Sequence, residues 1–126
     1  MTDPSGAPFL PRQVAIDGYG PQFFHFHGMS HTGSILALPS GIRPWGVETF
    51  AAVDRAALAP ILAEAKAFEL LFIGTGRDPA HLPEPLKAAL RQVGLRFELM
   101  PTAAAAATYN VLLAEGRLVG AALIAL

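Results

Sequence analysis

The apolar and polar positions of this chain change rhythm halfway along. In the first half the period is two. Residues 13–17, Gln-Val-Ala-Ile-Asp, alternate polar and apolar and predict a strand. Gly18-Tyr19-Gly20-Pro21 predicts a turn, with two glycines able to take positive φ. Residues 22–27, Gln-Phe-Phe-His-Phe-His, predict a second strand, so the two together read as a hairpin. A loop is expected over 28–33, then a third strand over 34–38 closed by Pro39-Ser40-Gly41. From Ile42 to Val53 no period dominates. Trp45 and Phe50 are expected to pack inward, with a short strand near residues 47–50.

The second half carries the helical period. Asp54 is placed to cap a helix whose Leu58, Ile61, Leu62 and Ala65 share one face. Pro60 conflicts with a helix interior, because it has no N–H and crowds the preceding turn. The chain is therefore expected to kink there, or to begin its helix near Ala59. Residues 69–73 predict a strand ended by Gly74-Thr75-Gly76. Pro83 and Pro85 open a helix over 84–93 with Leu86, Ala89, Leu90 and Val93 as its buried stripe and Gly94 as its stop. Residues 95–100 predict a strand. A helix is expected over 103–114, with Thr102 as N-cap and Gly116 just past its end. Residues 117–126 predict a last strand, almost wholly apolar.

Strands 69–73, 95–99 and 118–124, alternating with helices, predict two right-handed crossovers and a parallel core buried on both faces. The expected fold is α/β with three layers: a central mixed sheet with that parallel core, and an N-terminal antiparallel hairpin. Residues 1–12 read as a flexible arm and 13–126 as a single domain. With 126 residues the chain suits one domain able to bury a core without staples.

Composition removes several function classes. There is no cysteine, which excludes disulfides, thiolate metal sites and a Cys nucleophile. The net charge is −1 and the basic residues are scattered, so no stripe exists to neutralise nucleic-acid phosphates. The longest apolar stretch, Leu118 to Leu126, is far shorter than the roughly 20 residues of a membrane span. The first residues show no signal-peptide pattern, and a cytoplasmic location is expected. Only 15% of residues are charged while 52% are apolar. Such a surface is short of polar cover, which points to a protein partner or a homodimer. The hairpin is the first surface to consider, since Phe23 must point opposite to Phe24 and Phe26.

One set of residues ties the chain to known proteins. Ile73-Gly74-Thr75-Gly76, Met100-Pro101-Thr102, the block Thr108-Tyr109-Asn110-Val111-Leu112-Leu113 and Glu115-Gly116-Arg117 stand in order. Ile16-Asp17-Gly18-Tyr19-Gly20 and Gly33-Ser34-Ile35-Leu36 precede them. In these the chain resembles the mitochondrial complex I assembly factor 3 family and its bacterial relatives, from about residue 13 to the end. The resemblance implies a three-layer α/β fold and assembly work through protein contacts. Family members often carry a cysteine and a basic residue before the Thr-Tyr-Asn. Here those places hold Ala106 and Ala107.

Candidate chemistry is sparse. His25, His27 and His31 could offer imidazoles to a metal, but three ligands without a carboxylate nearby are more simply a solvated strand face, so no metal is expected. Gly74-Thr75-Gly76-Arg77 follows a strand and precedes a helix, where backbone N–H groups and an arginine could hold a small anion. It lacks the Lys-Ser/Thr ending of a Walker loop and the third glycine of a dinucleotide fingerprint. The crevice beyond the carboxyl ends of parallel strands would gather Gly74, Thr75, Gly76, Arg77, Pro101, Thr102 and Asn110. No catalytic set and no cofactor are indicated, and His81 stands alone in a loop. The leading expectation is a non-enzymatic protein-interaction domain, an assembly factor for respiratory or membrane complexes. The alternative is a small-anion-binding or enzymatic domain using the Gly74–Arg77 turn.

Overall fold

The computed structural model describes residues 10–126. Its strands are β1 (Gly18–Gly20), β2 (Phe23–Phe26), β3 (Met29–Thr32), β4 (Ile35–Leu38), β5 (Gly41–Pro44), β6 (Leu70–Gly74), β7 (Arg96–Met100) and β8 (Val119–Leu123). Its α-helices are α1 (Arg55–Ala63), α2 (Glu84–Gln92) and α3 (Thr102–Ala114). The central sheet has the order β5-β4-β8-β6-β7. β6 pairs parallel with both β7 and β8, as the alternation of strands and helices predicts, and β4 and β5 add antiparallel strands.

Period two sorts the sheet's side chains into two cores. Leu36, Leu38, Leu71, Ile73 and Ala122 face α1 and α2, where Leu58, Ile61, Leu86 and Leu90 meet them. Ile35, Ala37, Phe72, Ala121 and Leu123 face the other way, toward α3 and the N-terminal hairpin. β7 and β8 lie on opposite sides of β6, so two crossovers of one hand must place α2 and α3 on opposite faces. The result is the expected three-layer α/β architecture.

The N-terminal region departs from its prediction in three ways. Residues 13–17 are not a strand. At Val14 and Ile16 their backbone is held by side chains of α3, as with Tyr109 Oη donating to the Val14 carbonyl at 2.9 Å, and only Asp17 N donates to a strand, at the His25 carbonyl. The strand begins at Gly18, and the turn falls on Pro21-Gln22, where Gln22 takes φ 66. Proline followed by a left-handed residue is the pattern of a type II turn. Finally, the expected loop over 28–33 contains β3. His27 and Gly28 take φ 51 and 72, a two-residue turn whose twist suits a tight hairpin. The three strands form a separate antiparallel sheet β1-β2-β3, so the hairpin packs on the central sheet instead of extending it. Its anchors are Phe24 and Phe26, both fully buried. Phe23 points to the opposite face, as expected, and its ring covers the α-carbon of Gly20 and meets His25 edge-on at 4.8 Å between centroids.

Other differences are local. Residues 50–52 form a short 3-10 turn rather than a strand near 47–50. Helix α1 starts at Arg55, capped by Asp54 Oδ1, which accepts from Ala57 N at 2.8 Å, and runs through Pro60. A helix of nine residues tolerates this because Pro60 removes only one bond to the preceding turn. Ala65 sits in a following 3-10 turn, and Val93 is exposed at the end of α2 rather than buried in its stripe. Trp45 is buried as expected, its indole N–H donating to the Ala57 carbonyl at 2.9 Å. Most of the arm expected over residues 1–12 lies outside the described residues, and Leu10 forms an antiparallel bridge with Ile42.

The hairpin owes its position to Phe24 and Phe26. Phe24→Ala is expected to destabilise the fold by about 3–5 kcal/mol through the cavity it leaves. A urea denaturation midpoint within error of the parent would contradict that account.

Candidate functional site

Residues 74–77 emerge from β6 at the carboxyl end of the parallel strands, where β6 leads to α2 on one face and β7 leads to α3 on the other. This is the position at which α/β sheets open a crevice. Here the crevice is tied across. Thr75 N donates to the Met100 carbonyl at 3.0 Å, and Thr75 Oγ1 donates to the Asp78 carbonyl at 2.6 Å. Thr102 N donates to the Gly76 carbonyl at 2.8 Å. The Thr102 hydroxyl accepts from Gly76 N at 2.9 Å and donates to the Ile124 carbonyl at 2.7 Å. Thr102 is therefore not the N-cap expected from its position. Pro101 takes that place, and the hydroxyl of Thr102, fully buried, turns away from its own helix to bridge two strand ends.

The glycine at 74 follows from this packing. A β-carbon there would lie 2.8 Å from Thr102 Oγ1 and 2.9 Å from Thr102 Cα, so no larger residue lets α3 begin so close to β6. Gly76 adopts φ 99, which glycine takes without strain. Arg77 is exposed.

Of the residues expected to gather, Gly74, Thr75, Gly76 and Thr102 come together, and Asn110 does not join them. It lies two turns further along α3, where its side chain accepts from Ile16 N and donates to the Ile16 carbonyl, both at 2.8 Å. An amide that reads one residue's N–H and C=O in this way works as a backbone clamp. Next to it, burial pushes the Tyr109 phenol well above its ordinary value. Thr108 donates to the Ala104 carbonyl within its own helix at 2.8 Å.

The three histidines are split by the hairpin register. His25 lies opposite Ser30 and His31 opposite Phe24, so the two project from opposite faces of the small sheet. His27 sits in the turn, its Nε2 3.4 Å from Arg12. Among the described residues no three His, Asp or Glu side chains are placed to hold a metal ion. Partial burial pushes the His31 imidazole below its usual value, and a hydrogen bond with the Ser34 backbone works the other way.

An open cleft of about 690 Å³ runs between Trp45, Glu48, Asp54 and the Ala56–Pro60 stretch of α1. In the sequence only Pro60 marks it, because proline leaves the Ala56 carbonyl without its helical donor at the cleft wall.

Two outcomes are expected. Thr102→Val keeps the shape but leaves Gly76 N–H and the Ile124 carbonyl buried without their partner. It should lower stability by about 2–4 kcal/mol, and Thr102→Ser should recover most of it. Equal stability of the valine and serine variants would remove the hydroxyl from the account. The folded state favours neutral His31, so its share of stability is full above the ordinary imidazole value of 6.5 and falls as pH drops through the lower folded value. His31→Gln should flatten the stability profile in that window, as read from urea midpoints at stepped pH.

Comparison with known proteins agrees with this frame. Residues 16–124 match the family described as protein of unknown function (DUF498/DUF598). An uncharacterized protein of Rhodobacter capsulatus is 44% identical over 97% of this chain and 90% of its own length. NADH dehydrogenase [ubiquinone] 1 alpha subcomplex assembly factor 3 of Rattus norvegicus is 32% identical over 91% of this chain, which spans 62% of that protein's length. Among solved structures, one described as an outer membrane protein from Bartonella henselae superposes with a TM-score of 0.88 at 40% identity, covering 92% of this chain and 98% of that one. The Rpa2829 protein from Rhodopseudomonas palustris gives 0.83 at 42% identity, over 100% and 93%. The chain thus belongs to the DUF498/DUF598 family, among the complex I assembly factor 3-like proteins and their bacterial relatives.

Proposed function

We propose that this chain is a non-enzymatic protein-interaction domain that works as an assembly factor for respiratory or membrane complexes, acting in the cytoplasm and able to self-associate. The observation that carries the reading is the outer face of α3. Its thirteen residues include no charged side chain. The exposed positions are Ala103, Ala104, Ala107, Val111 and Ala114, which fall on one stripe of the helix, with Val111 57% exposed. A helix on a protein surface ordinarily turns a charged or polar face to water. One whose exposed stripe is apolar is suited to being covered.

Kinship supports the same reading, since the mitochondrial relatives are named as assembly factors of NADH dehydrogenase. Among the described residues no helix is long and apolar enough to cross a membrane, so contact with a membrane complex would be made from the side. The competing reading, a small-anion or enzymatic site at Gly74–Arg77, has less in its favour. The Gly76 N–H that would greet an anion already donates to Thr102.

The test is genetic and biochemical together. In a native-host strain lacking the chain, the wild type should restore the intact NADH dehydrogenase complex on native gels. Val111→Glu, an exposed change with little effect on folding, should restore less than about a tenth as much, the loss expected when a charge is buried in an apolar contact. Full restoration by Val111→Glu, with an unchanged melting temperature, would rule out the α3 face.

A further inference from the structure

The two outer edges of the central sheet are treated differently. β5 is met by Leu10, which exchanges backbone hydrogen bonds with Ile42 at 3.4 and 3.0 Å. Along the outer side of β7 no described residue pairs. Instead a groove of about 530 Å³ lies beside it, lined by Leu70, Arg91, Leu95, Arg96, Phe97 and Glu98. An open strand edge is a template for another strand.

The hydrogen-bond parity of β7 says which residues are on offer. Arg96 N donates to the Glu69 carbonyl, and the Met100 carbonyl accepts from Thr75 N. In a parallel ladder a residue that bonds its neighbour does so with both backbone groups, and alternate residues face away. Positions 96, 98 and 100 therefore bond inward to β6. Leu95, Phe97 and Leu99 turn their carbonyls outward, and Phe97 and Leu99 their N–H groups as well, since Leu95 N donates to the Leu90 carbonyl. The side chains follow the same alternation. Arg96 and Glu98 are exposed on the α3 side, while Phe97 and Leu99 are half-buried on the α2 side, with the Arg91 guanidinium 6.0 Å from the Phe97 ring centroid.

We propose that the β7 edge is a self-pairing seam, where two copies of this chain join their central sheets antiparallel about a two-fold axis passing between Phe97 and its symmetry mate. This builds on the self-association proposed above and gives it a place. In that register the two Phe97 residues exchange both backbone hydrogen bonds, and each Leu99 N–H meets the other copy's Leu95 carbonyl. Arg96 and Glu98 are equidistant from the axis, so each faces its opposite charge on the other copy. Cross-strand pairs of opposite charge stabilise a sheet, and like charges directly opposed destabilise it.

The same charges select against error. Backbone parity allows the strand to slip only in steps that keep odd positions opposite odd positions. One such step in either direction sets Arg96 against Arg96 or Glu98 against Glu98. Charges on an edge strand commonly discourage pairing altogether. Here their spacing penalises the neighbouring registers and rewards the central one. Five residues make a short seam, at the low end of interface sizes, below about 1,200 Å². The dimer is accordingly concentration-dependent.

Sedimentation equilibrium of the full chain over a concentration series tests the seam. The wild type should dimerise. Arg96→Glu and Glu98→Arg should each weaken the dimer about tenfold, by turning two attractive pairs into repulsive ones, and the double variant Arg96→Glu/Glu98→Arg should restore it. Both side chains are exposed, so melting temperatures should stay constant. A wild type that remains monomeric throughout would overturn both the seam and the self-association. A dimer indifferent to both reversals, or one dispersed by Phe23→Ser instead, would keep self-association and overturn β7 as its place. The seam also stands apart from the α3 contact, because Val111→Glu should leave the dimer constant unchanged.

Discussion

The structure turns on one buried hydroxyl. Thr102 Oγ1 receives the Gly76 N–H and gives its own proton to the Ile124 carbonyl, so a single atom joins the end of β6, the start of α3 and the exit of β8. A polar group buried this deeply is tolerable only when its bonds are complete, and completing them fixes where α3 can begin. Everything laid on that face inherits the position. Two turns along the same helix, Tyr109 and Asn110 grip the backbone at Val14 and Ile16. Those grips bring the hairpin down so that Phe24 and Phe26 meet Phe72, Ala105 and Ala106.

The same interaction decides what the carboxyl end of the sheet can do. In many α/β proteins this end is left open, with backbone donors aimed at a ligand. In this chain the donors at 75, 76 and 102 are engaged with Met100, Thr102 and Gly76. These bonds lock the strand ends and the start of α3 together. What the molecule leaves to the outside is of another kind: an uncharged helix face and a bare strand edge. Both are the surfaces on which the proposed contacts with other chains are placed.

These outward features also explain why the chain is so poor in charge. A helix lying on a Gly- and Ala-rich sheet must itself be built of small residues to come close, and α3 over Gly74 and Ala121 is such a helix. Ala105 and Ala106 answer the sheet, while Ala103, Ala104 and Ala107 face outward. The same alanine run thus serves core and surface, where the sequence alone reads a helix with a small-residue packing face.

The sequence by itself determined the elements whose period is long and unbroken: strands β6, β7 and β8, the helices between them, and hence the parallel core and its handedness. It determined the glycine stops at Gly94 and Gly116, because only a left-handed residue ends those helices economically. Local pattern failed where the deciding partner lies far along the chain. Residues 13–17 alternate like a strand, yet the backbone at Val14 and Ile16 bonds to side chains about 95 positions away, and only Asp17 N reaches the neighbouring strand, at the His25 carbonyl. β3 hid in Met-Ser-His-Thr, whose weak alternation acquires meaning only beside β2. Thr102 looked like a cap because caps are local, while its true acceptor is Ile124, delivered by the sheet. Fold analogy places Asn110 near the turn, but two helical turns of rise carry it to Ile16 instead. Periodicity is written residue by residue and survives in one dimension. Which hydroxyl meets which carbonyl depends on register and layer, and those exist only once the chain has packed.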